Sequence, residues 1–214
     1  MDDGWDEVPA AEHQDWATTT SVVDVGQLVA QWLEGARRWI PTYIGSTPHP
    51  ETRGHIRDAL ARVNRAGWVT DSSQPGLRHS GLRQRAYVSG IAAPALTRYA
   101  EHLSSDSDVV VLRAVRPPEL SPKINLVVTV RDGQPATWLG NWAPPDRDVL
   151  LCAPLPPAAA SALQSAEALQ VFDPVWGRDD VLWPWLHRLA ADLSDGSADR
   201  WWAGQGSEID IDPQ

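Results

Sequence analysis

The amino-acid sequence predicts a single α+β domain, a mostly antiparallel sheet flanked by helices. Apolar residues recur at helical spacing in several segments, which indicates amphipathic helices. Between these segments lie short runs of β-branched and aromatic residues, which favour strands. The pair Asp132-Gly133 separates two such runs and is typical of the tight turn that joins antiparallel strands. At 214 residues, the chain has the length of one domain.

The first two predicted elements are helices. Apolar side chains about 3.6 residues apart predict one helix that ends at Gly35: Val22, Val25, Leu28, Val29 and Trp32. A loop is expected over residues 37–50. The second helix is predicted from about Pro50 to Gly67, because proline suits the first helical position and glycine suits the position after the last. Its apolar side chains share one face: Ile56, Leu60 and Val63.

Strands and helices alternate in the rest of the chain. Strands are predicted at residues 68–70, 84–92, 108–115, 124–130, 136–138, 148–152 and 169–172. Helices are predicted at residues 94–103, 157–168 and 181–193, and a polar loop at 71–83. The folded domain is thus expected over residues 21–194. An irregular N-terminal arm precedes it at 1–20, and an acidic, mobile tail follows at 195–214.

Charge and composition exclude several classes of function. The chain has 28 acidic and 18 basic residues, a formal net charge of -10 and one lysine, Lys123. Proteins that bind nucleic acid or anionic membranes neutralise phosphates with cationic side chains, so neither partner is expected. No apolar run is long enough for a membrane-spanning helix. The acidic start and the single cysteine, Cys152, predict a cytoplasmic protein.

The usual motifs of metal, phosphate and nucleophile chemistry do not occur in the sequence. The six histidines are scattered, and one cysteine cannot form a thiolate cluster, so no metal is expected. There is no glycine-rich phosphate loop after a strand and no Gly-x-Ser-x-Gly elbow. Cys152 lies in an apolar run, which favours a buried thiol over a nucleophile. The adjacent Asp179 and Asp180 are interpreted as charges at the start of the last helix.

A polar stretch after the second helix is the candidate site. Thr70, Ser73 and Gln74 offer two hydroxyls and an amide beside a strand end, where they can bind a small polar ligand. Ordinary turn capping is the alternative, because Asp, Ser, Pro and Gly form turns. The chain also has 12 tryptophans against one phenylalanine. These indoles either pack in the core or line a ligand pocket.

The polar stretch also carries a resemblance to a known family. Residues 63–75, VNRAGWVTDSSQP, resemble the segment V-N-R-x-G-x-L-T-x-x-S-Q-P in the C-terminal regulatory domain of eukaryotic methylenetetrahydrofolate reductases. Further ordered matches span residues 5–190, among them WDEVP at 5–9, QRAYV at 84–88, ATW at 136–138 and RDVL at 147–150. The sequence is also similar to stand-alone proteins of high-GC actinobacteria. The regulatory domain binds S-adenosylmethionine and S-adenosylhomocysteine, so the resemblance implies its fold and its ligand class.

The resemblance also implies specific ligand contacts: Glu51, Thr52, Thr70, Ser73 and Thr137. A further family threonine falls near Ala153, where this chain departs from the pattern. A carboxylate such as Glu51 can hold the ligand's ammonium or ribose, and hydroxyls can bond its carboxylate or adenine edge. Gln74 belongs to the same polar stretch. The indoles of Trp68 and Trp138 can stack on adenine or face the sulfonium, or they are core residues on the opposite strand face.

The resemblance does not extend to the reductase activity. The chain leaves no room for the family's N-terminal flavin-bearing barrel, so neither folate reduction nor a flavin is expected. The predicted function is a sensor or regulator that binds the ligand and acts on a partner protein. Two alternatives remain: an enzyme that uses S-adenosylmethionine for methyl transfer, cyclisation or cleavage, and a degenerate interaction scaffold. In the enzyme, Glu51, Asp71 or Tyr87 would serve as base.

Overall fold

The computed structural model describes residues 10–40, 47–52, 54–114, 124–140 and 155–205. These residues contain seven helices: α1 (Ala10–Ala17), α2 (Val22–Leu33), α3 (His55–Arg65), α4 (Pro94–Ser104), α5 (Pro157–Gln164), α6 (Leu182–Ser194) and α7 (Ser197–Gln205). The same residues contain eight strands: β1 (Trp68–Gln74), β2 (Arg78–His79), β3 (Leu82–Gln84), β4 (Tyr87–Ala92), β5 (Val110–Ala114), β6 (Leu126–Arg131), β7 (Gln134–Leu139) and β8 (Glu167–Phe172).

The eight described strands form two sheets of four strands each. The first sheet has the order β1-β4-β8-β5, and the second has the order β2-β3-β6-β7. Every described pairing is antiparallel. The predicted α+β class is therefore confirmed, and two antiparallel sheets take the place of a single one.

Most buried apolar side chains lie between the helices and the first sheet. Helix α2 packs on α3 and on β1, and α3 also packs on α6. A smaller apolar cluster takes one side chain from each of β4, β6, β7 and β8: Tyr87, Val128, Leu139 and Phe172. Because its members come from both sheets, this cluster holds the sheets together.

The starts of α2 and α3 reflect local chemistry. Helix α2 begins with a capping box, in which Ser21 Oγ accepts a hydrogen bond from the Asp24 N–H at 3.1 Å and the Asp24 carboxylate accepts one from the Ser21 N–H at 3.0 Å. Helix α3 begins at His55, later than the predicted start at Pro50. Gly54 precedes it with a φ of 55°, a left-handed backbone that favours glycine and interrupts a helix.

Strand β1 is longer than predicted. It continues past Thr70 to Gln74, through residues whose composition predicts a loop. Its backbone pairs with β4, but the register shifts between Thr70 and Ser72, so that Asp71 is the extra residue of a β-bulge. Residues 78–83, also predicted as loop, contain β2 and most of β3, which form a short antiparallel pair. In both places, strand pairing outweighs a turn-forming composition.

Both ends of the described chain differ from the predicted arm and tail. Residues 10–17 form α1, and the fully buried Trp16 lies edge-on to Trp39 at 5.7 Å between ring centroids. Residues 197–205 form α7, whose Trp201 stacks on His102 of α4 at 4.7 Å. Aromatic packing thus holds segments that look irregular in sequence. The predicted strand at 148–152 and the tail residues 206–214 lie outside the described residues.

The close crossing of α2 and α3 predicts the effect of a substitution at Gly26. A Cβ there would lie 2.0 Å from the backbone oxygen of Asn64, closer than van der Waals contact allows. Gly26→Ala is therefore expected to lower the free energy of unfolding by about 1–3 kcal/mol, although alanine is the better helix former. Urea denaturation measures the change. Gly204→Ala in α7, where a methyl group meets open space, is the control, and equal effects in both variants would contradict this explanation.

Candidate functional site

A cavity opens beside β1, the strand at one edge of the described first sheet, and we refer to it as the β1 cavity. Its volume is about 290 Å³, near the lower end of the roughly 300–1,000 Å³ that small-molecule sites span. Its floor consists of buried apolar side chains: Val29, Trp32, Leu33, Ile40 and Leu60. Its wall is the polar half of β1: Thr70, Asp71, Ser72, Ser73 and Gln74. Its rim precedes α3: Pro48, His49, Glu51 and Thr52.

The bulge in β1 explains why successive residues line one cavity. In a regular strand, neighbouring side chains point to opposite faces of the sheet. The strand register shifts at Asp71, because Thr70 pairs with Gly90 and Ser72 with Ser89, two adjacent residues of β4. Bulges of this kind redirect side chains and often occur beside functional sites. The polar stretch predicted from the sequence therefore forms a continuous wall.

Asn64 on α3 fixes the orientation of Thr70. The Asn64 side chain is fully buried, and its Oδ1 accepts a hydrogen bond from the Thr70 N–H at 3.0 Å. Its Nδ2 donates to Thr70 Oγ1 at 2.7 Å and to the Leu60 carbonyl at 2.8 Å. Because Thr70 Oγ1 accepts from Asn64, its own hydroxyl proton must point elsewhere. Thr70 is thus prepared to donate a hydrogen bond to an acceptor in the cavity.

Gln74 has a structural role at the end of the same wall. Its Nε2 donates to the carbonyls of Arg85 at 2.8 Å and Val128 at 3.1 Å. Its Oε1 accepts from Thr129 Oγ1 at 2.8 Å and from Gln84 Nε2 at 3.4 Å. A primary amide has two donors and two acceptor positions, so protein groups use the full capacity of this one. The described hydrogen bonds of Gln74 thus link the two sheets, and a ligand contact at Gln74 stays a prediction.

A tight turn places the rim residues. The His49 carbonyl accepts a hydrogen bond from the Thr52 N–H at 2.8 Å, and His49 Nδ1 accepts one from the Glu51 N–H at 3.2 Å. Thr52 is buried, whereas the Glu51 side chain is exposed at the mouth of the cavity. The turn thus brings one hydroxyl and one carboxylate to the lining of the cavity.

Comparison with known proteins gives one family. A family model described as a domain of unknown function, DUF6919, matches residues 11–193. The chain belongs to the DUF6919 family. A comparison with curated proteins found no match. The matched residues include all those that line the β1 cavity and end within α6, so α7 follows the region that defines DUF6919.

In this DUF6919 protein, five of the seven predicted site residues line the β1 cavity: Glu51, Thr52, Thr70, Ser73 and Gln74. The other two, Thr137 and Trp138, lie on β7 in the second sheet and do not line it. Thr137 pairs with Thr129, and the Thr129 hydroxyl donates to Gln74, which lines the cavity.

The two indoles proposed for ligand stacking also lie elsewhere in this DUF6919 protein. Trp138 is 46% exposed on β7, and Trp68 is fully buried in the core. Trp68 therefore takes the core position that was its alternative interpretation. Trp32 of α2 is the indole that lines the β1 cavity. The position near Ala153 lies outside the described residues.

Several lining residues were not predicted as site residues. Trp32 follows the helical spacing of the α2 core stripe, so the sequence predicts a packing role for it. Ser72 and His49 carry no motif, and the signal that favours Ser72 is its place between Thr70 and Ser73. Ser72 Oγ lies 2.7 Å from the Tyr87 hydroxyl. Burial raises the pKa of the Tyr87 phenol, so this side chain keeps its proton at neutral pH.

The described residues contain neither a cluster of metal ligands nor a membrane-spanning helix. No group of three or more His, Cys, Asp or Glu side chains there could hold a metal ion. No helix in the same part of the chain has the length and apolar character needed to cross a bilayer.

Proposed function

We propose that this DUF6919 protein binds S-adenosylmethionine or S-adenosylhomocysteine in the β1 cavity and acts as a sensor or regulator of a partner protein. One observation carries the proposal. The contacts implied by the reductase resemblance fall largely in two separate segments, Glu51-Thr52 and residues 70–74, and both segments line one cavity. A chance resemblance would not require the two segments to meet.

The chemistry of the β1 cavity suits an adenosyl sulfur compound. The buried floor, with the Trp32 indole, offers an apolar surface on which adenine can stack. The Thr70 hydroxyl, oriented by Asn64, can donate to an adenine nitrogen or to the ligand carboxylate. The Glu51 carboxylate can accept hydrogen bonds from the ligand's ammonium or ribose hydroxyls. Neither a metal nor a flavin enters the proposal.

The proposal also includes the location of the protein in the cell and the class of its partner. The single cysteine and the acidic composition favour the cytoplasm and disfavour nucleic acid and anionic membranes as partners. The partner of the sensor is therefore expected to be another protein, which responds to the ligand state of the β1 cavity.

Removal of two wall hydroxyls tests the proposed site. Each lost hydrogen bond costs about 0.5–1.5 kcal/mol. The double variant Thr70→Val/Ser73→Ala is therefore expected to raise the Kd for either ligand about 5- to 150-fold. Isothermal titration calorimetry measures the Kd, and circular dichroism establishes that the variant is folded.

Thr137→Val is the matched control, because it removes the same hydroxyl from β7, outside the β1 cavity. Its Kd is expected to equal that of the unmodified protein. Weaker binding in Thr137→Val together with unchanged binding in the double variant would place the ligand at β7. If the unmodified protein gives no binding heat with either ligand at high concentration, only the function of an interaction scaffold remains.

An enzyme that consumes S-adenosylmethionine is the second candidate function. Glu51 and Asp71 favour it, because both carboxylates line the β1 cavity and a carboxylate can act as a general base. Tyr87 does not favour it, because burial keeps its phenol protonated. Overnight incubation with S-adenosylmethionine followed by mass spectrometry separates the two functions. Intact ligand supports the sensor, and a converted product supports the enzyme.

A further inference from the structure

Three arginines and a tryptophan lie together where the segment after β8 meets the second sheet, and we call them the arginine patch: Arg78, Arg83, Arg85 and Trp176. The guanidinium carbon of Arg85 lies 4.2 Å from the centroid of the Trp176 ring, and that of Arg83 lies 5.5 Å from the same centroid. Arg78 on β2 is the cross-strand partner of Arg83 on β3. Since the side chains of such partners are neighbours on one face of a sheet, the three arginines form one cluster.

The backbone around the arginine patch is fixed by contacts between distant segments. The Gly177 N–H donates a hydrogen bond to the Gln84 carbonyl at 2.9 Å, which joins the segment after β8 to β3. Gly177 has a φ of 77°, and a Cβ there would lie 2.7 Å from the Cβ of Arg78, so glycine permits this close approach. Arg85 Nη1 donates to the Val127 carbonyl of β6 at 3.0 Å. The fold therefore brings the arginines together.

None of the three arginines forms an ion pair with a carboxylate in the described part of the chain. Elsewhere, by contrast, Arg65 pairs with Glu34 and Arg178 pairs with Asp173. The buried Asp173 also attracts the charge of Arg85, but Arg178 donates to both of its oxygens. The charges of the arginine patch are thus not neutralised by direct contact with described carboxylates, in a chain with 28 acidic and 18 basic residues.

The arginine patch is unfavourable for the folded protein on its own. Like charges directly opposite each other on paired strands are destabilising, and Arg78 and Arg83 hold such positions. Burial lowers the pKa of the Arg85 guanidinium, because a charge is less well hydrated there. A bound anion would relieve both effects. Arg78 and Arg83 are exposed, so an anion can reach them from the solvent.

We propose that the arginine patch is a docking surface for an acidic segment of a partner protein. The planar guanidinium group matches the geometry of a carboxylate. The half-buried Trp176 and the exposed Val175 beside it in the chain add apolar surface, which suits a peptide better than an inorganic anion. A nucleic acid would extend past the patch and meet a protein with a net charge of -10, whereas a short acidic segment would not. The inference goes beyond the proposed function, since it needs no ligand in the β1 cavity.

Fluorescence anisotropy with a short labelled peptide tests the docking surface. Glutamates in the peptide alternate with serines around a central leucine, so that the carboxylates share one side of an extended chain. The full chain is expected to bind this peptide at low ionic strength with a Kd in the micromolar range, although its net charge repels an acidic peptide. A peptide with glutamine in place of each glutamate is expected to bind at least about 10-fold more weakly. Equal binding of the two peptides would overturn the inference.

The double variant Arg78→Gln/Arg83→Gln is expected to raise the Kd for the acidic peptide at least about 10-fold. Its midpoint of urea denaturation is not expected to fall, because the substitutions remove a like-charge contact. Arg62→Gln/Arg98→Gln is the matched control, because it removes the same charge from exposed positions on α3 and α4. Its Kd is expected to equal that of the unmodified protein.

Three outcomes would overturn the inference and leave the proposed function standing, since no S-adenosyl ligand takes part in the experiment. The first is the absence of peptide binding to the unmodified protein. The second is an equal Kd for the patch variant and the control variant, which would place the peptide elsewhere. The third is tighter binding of a single-stranded oligonucleotide than of the acidic peptide, which would assign the arginine patch to nucleic acid.

Discussion

Replacement of Arg178 by methionine is expected to lower the free energy of unfolding by about 3–5 kcal/mol, because it leaves a buried carboxylate without its cation. Asp173, which follows β8, is fully buried. Arg178 donates to both of its oxygens, from Nε at 2.6 Å and from Nη2 at 2.8 Å. These hydrogen bonds raise the pKa of the Arg178 guanidinium. Urea denaturation followed by circular dichroism measures the loss.

Two further variants separate the buried ion pair from the exposed one. Asp108→Asn removes only the exposed carboxylate that Arg178 Nη1 contacts at 2.9 Å. Its effect is expected to be at most about 1 kcal/mol. Adding Asp173→Asn to Arg178→Met replaces the unpaired charge with a neutral amide, so part of the lost stability should return. A double variant that is no more stable than Arg178→Met would contradict the charge explanation.

The turn that contains this ion pair also holds the end of β1. Asp179 Oδ1 accepts hydrogen bonds from the Gly76 N–H at 2.7 Å and from Trp183 Nε1 at 2.7 Å. From the sequence, Asp179 was interpreted as a charge at the start of the last helix. The actual contact at Gly76 is far away in the chain, and no local pattern encodes such a partner.

Local signals predicted the elements that depend on neighbouring residues. Helices α4 and α6 lie within one residue of their predicted bounds, because proline and apolar spacing specify them locally. The turn after β6 has φ values of 50° at Asp132 and 81° at Gly133, as its Asp-Gly pair predicts. The order of the strands could not be predicted. Partners such as β4 and β8 meet through long-range packing, which periodicity does not encode.

The residues of the candidate site also fall into two groups: those that local sequence patterns predict and those whose roles depend on distant contacts. The hydroxyls of Thr70 and Ser73 were predicted because a cluster of polar residues beside a strand is visible in the sequence. The structural role of Gln74 could not be predicted, because its partners Val128 and Thr129 lie on the second sheet. Trp32 was missed for a different reason. An indole that lines a cavity from a helix has the same spacing as one that packs in a core.

Asn64→Leu is expected to lower the free energy of unfolding by about 2–4 kcal/mol. Leucine has a similar size, so the loss comes from hydrogen bonds rather than from a void. The Thr70 N–H is buried and would lose the Asn64 Oδ1 acceptor, and Thr70 Oγ1 would lose the Asn64 Nδ2 donor. Thermal and urea denaturation measure the change.

A double-mutant cycle with Thr70→Val shows whether this loss runs through the wall of the β1 cavity. Thr70→Val keeps the N–H and removes only the hydroxyl, so the two substitutions share one hydrogen bond. Their combined effect should therefore be smaller than the sum of the separate effects by about 0.5–1.5 kcal/mol. Additive effects would mean that Asn64 stabilises the fold through its hydrogen bonds with the Thr70 N–H and the Leu60 carbonyl, without orienting the Thr70 hydroxyl. In that case the hydroxyl would have no preferred direction, and it could not discriminate between donors and acceptors on a ligand.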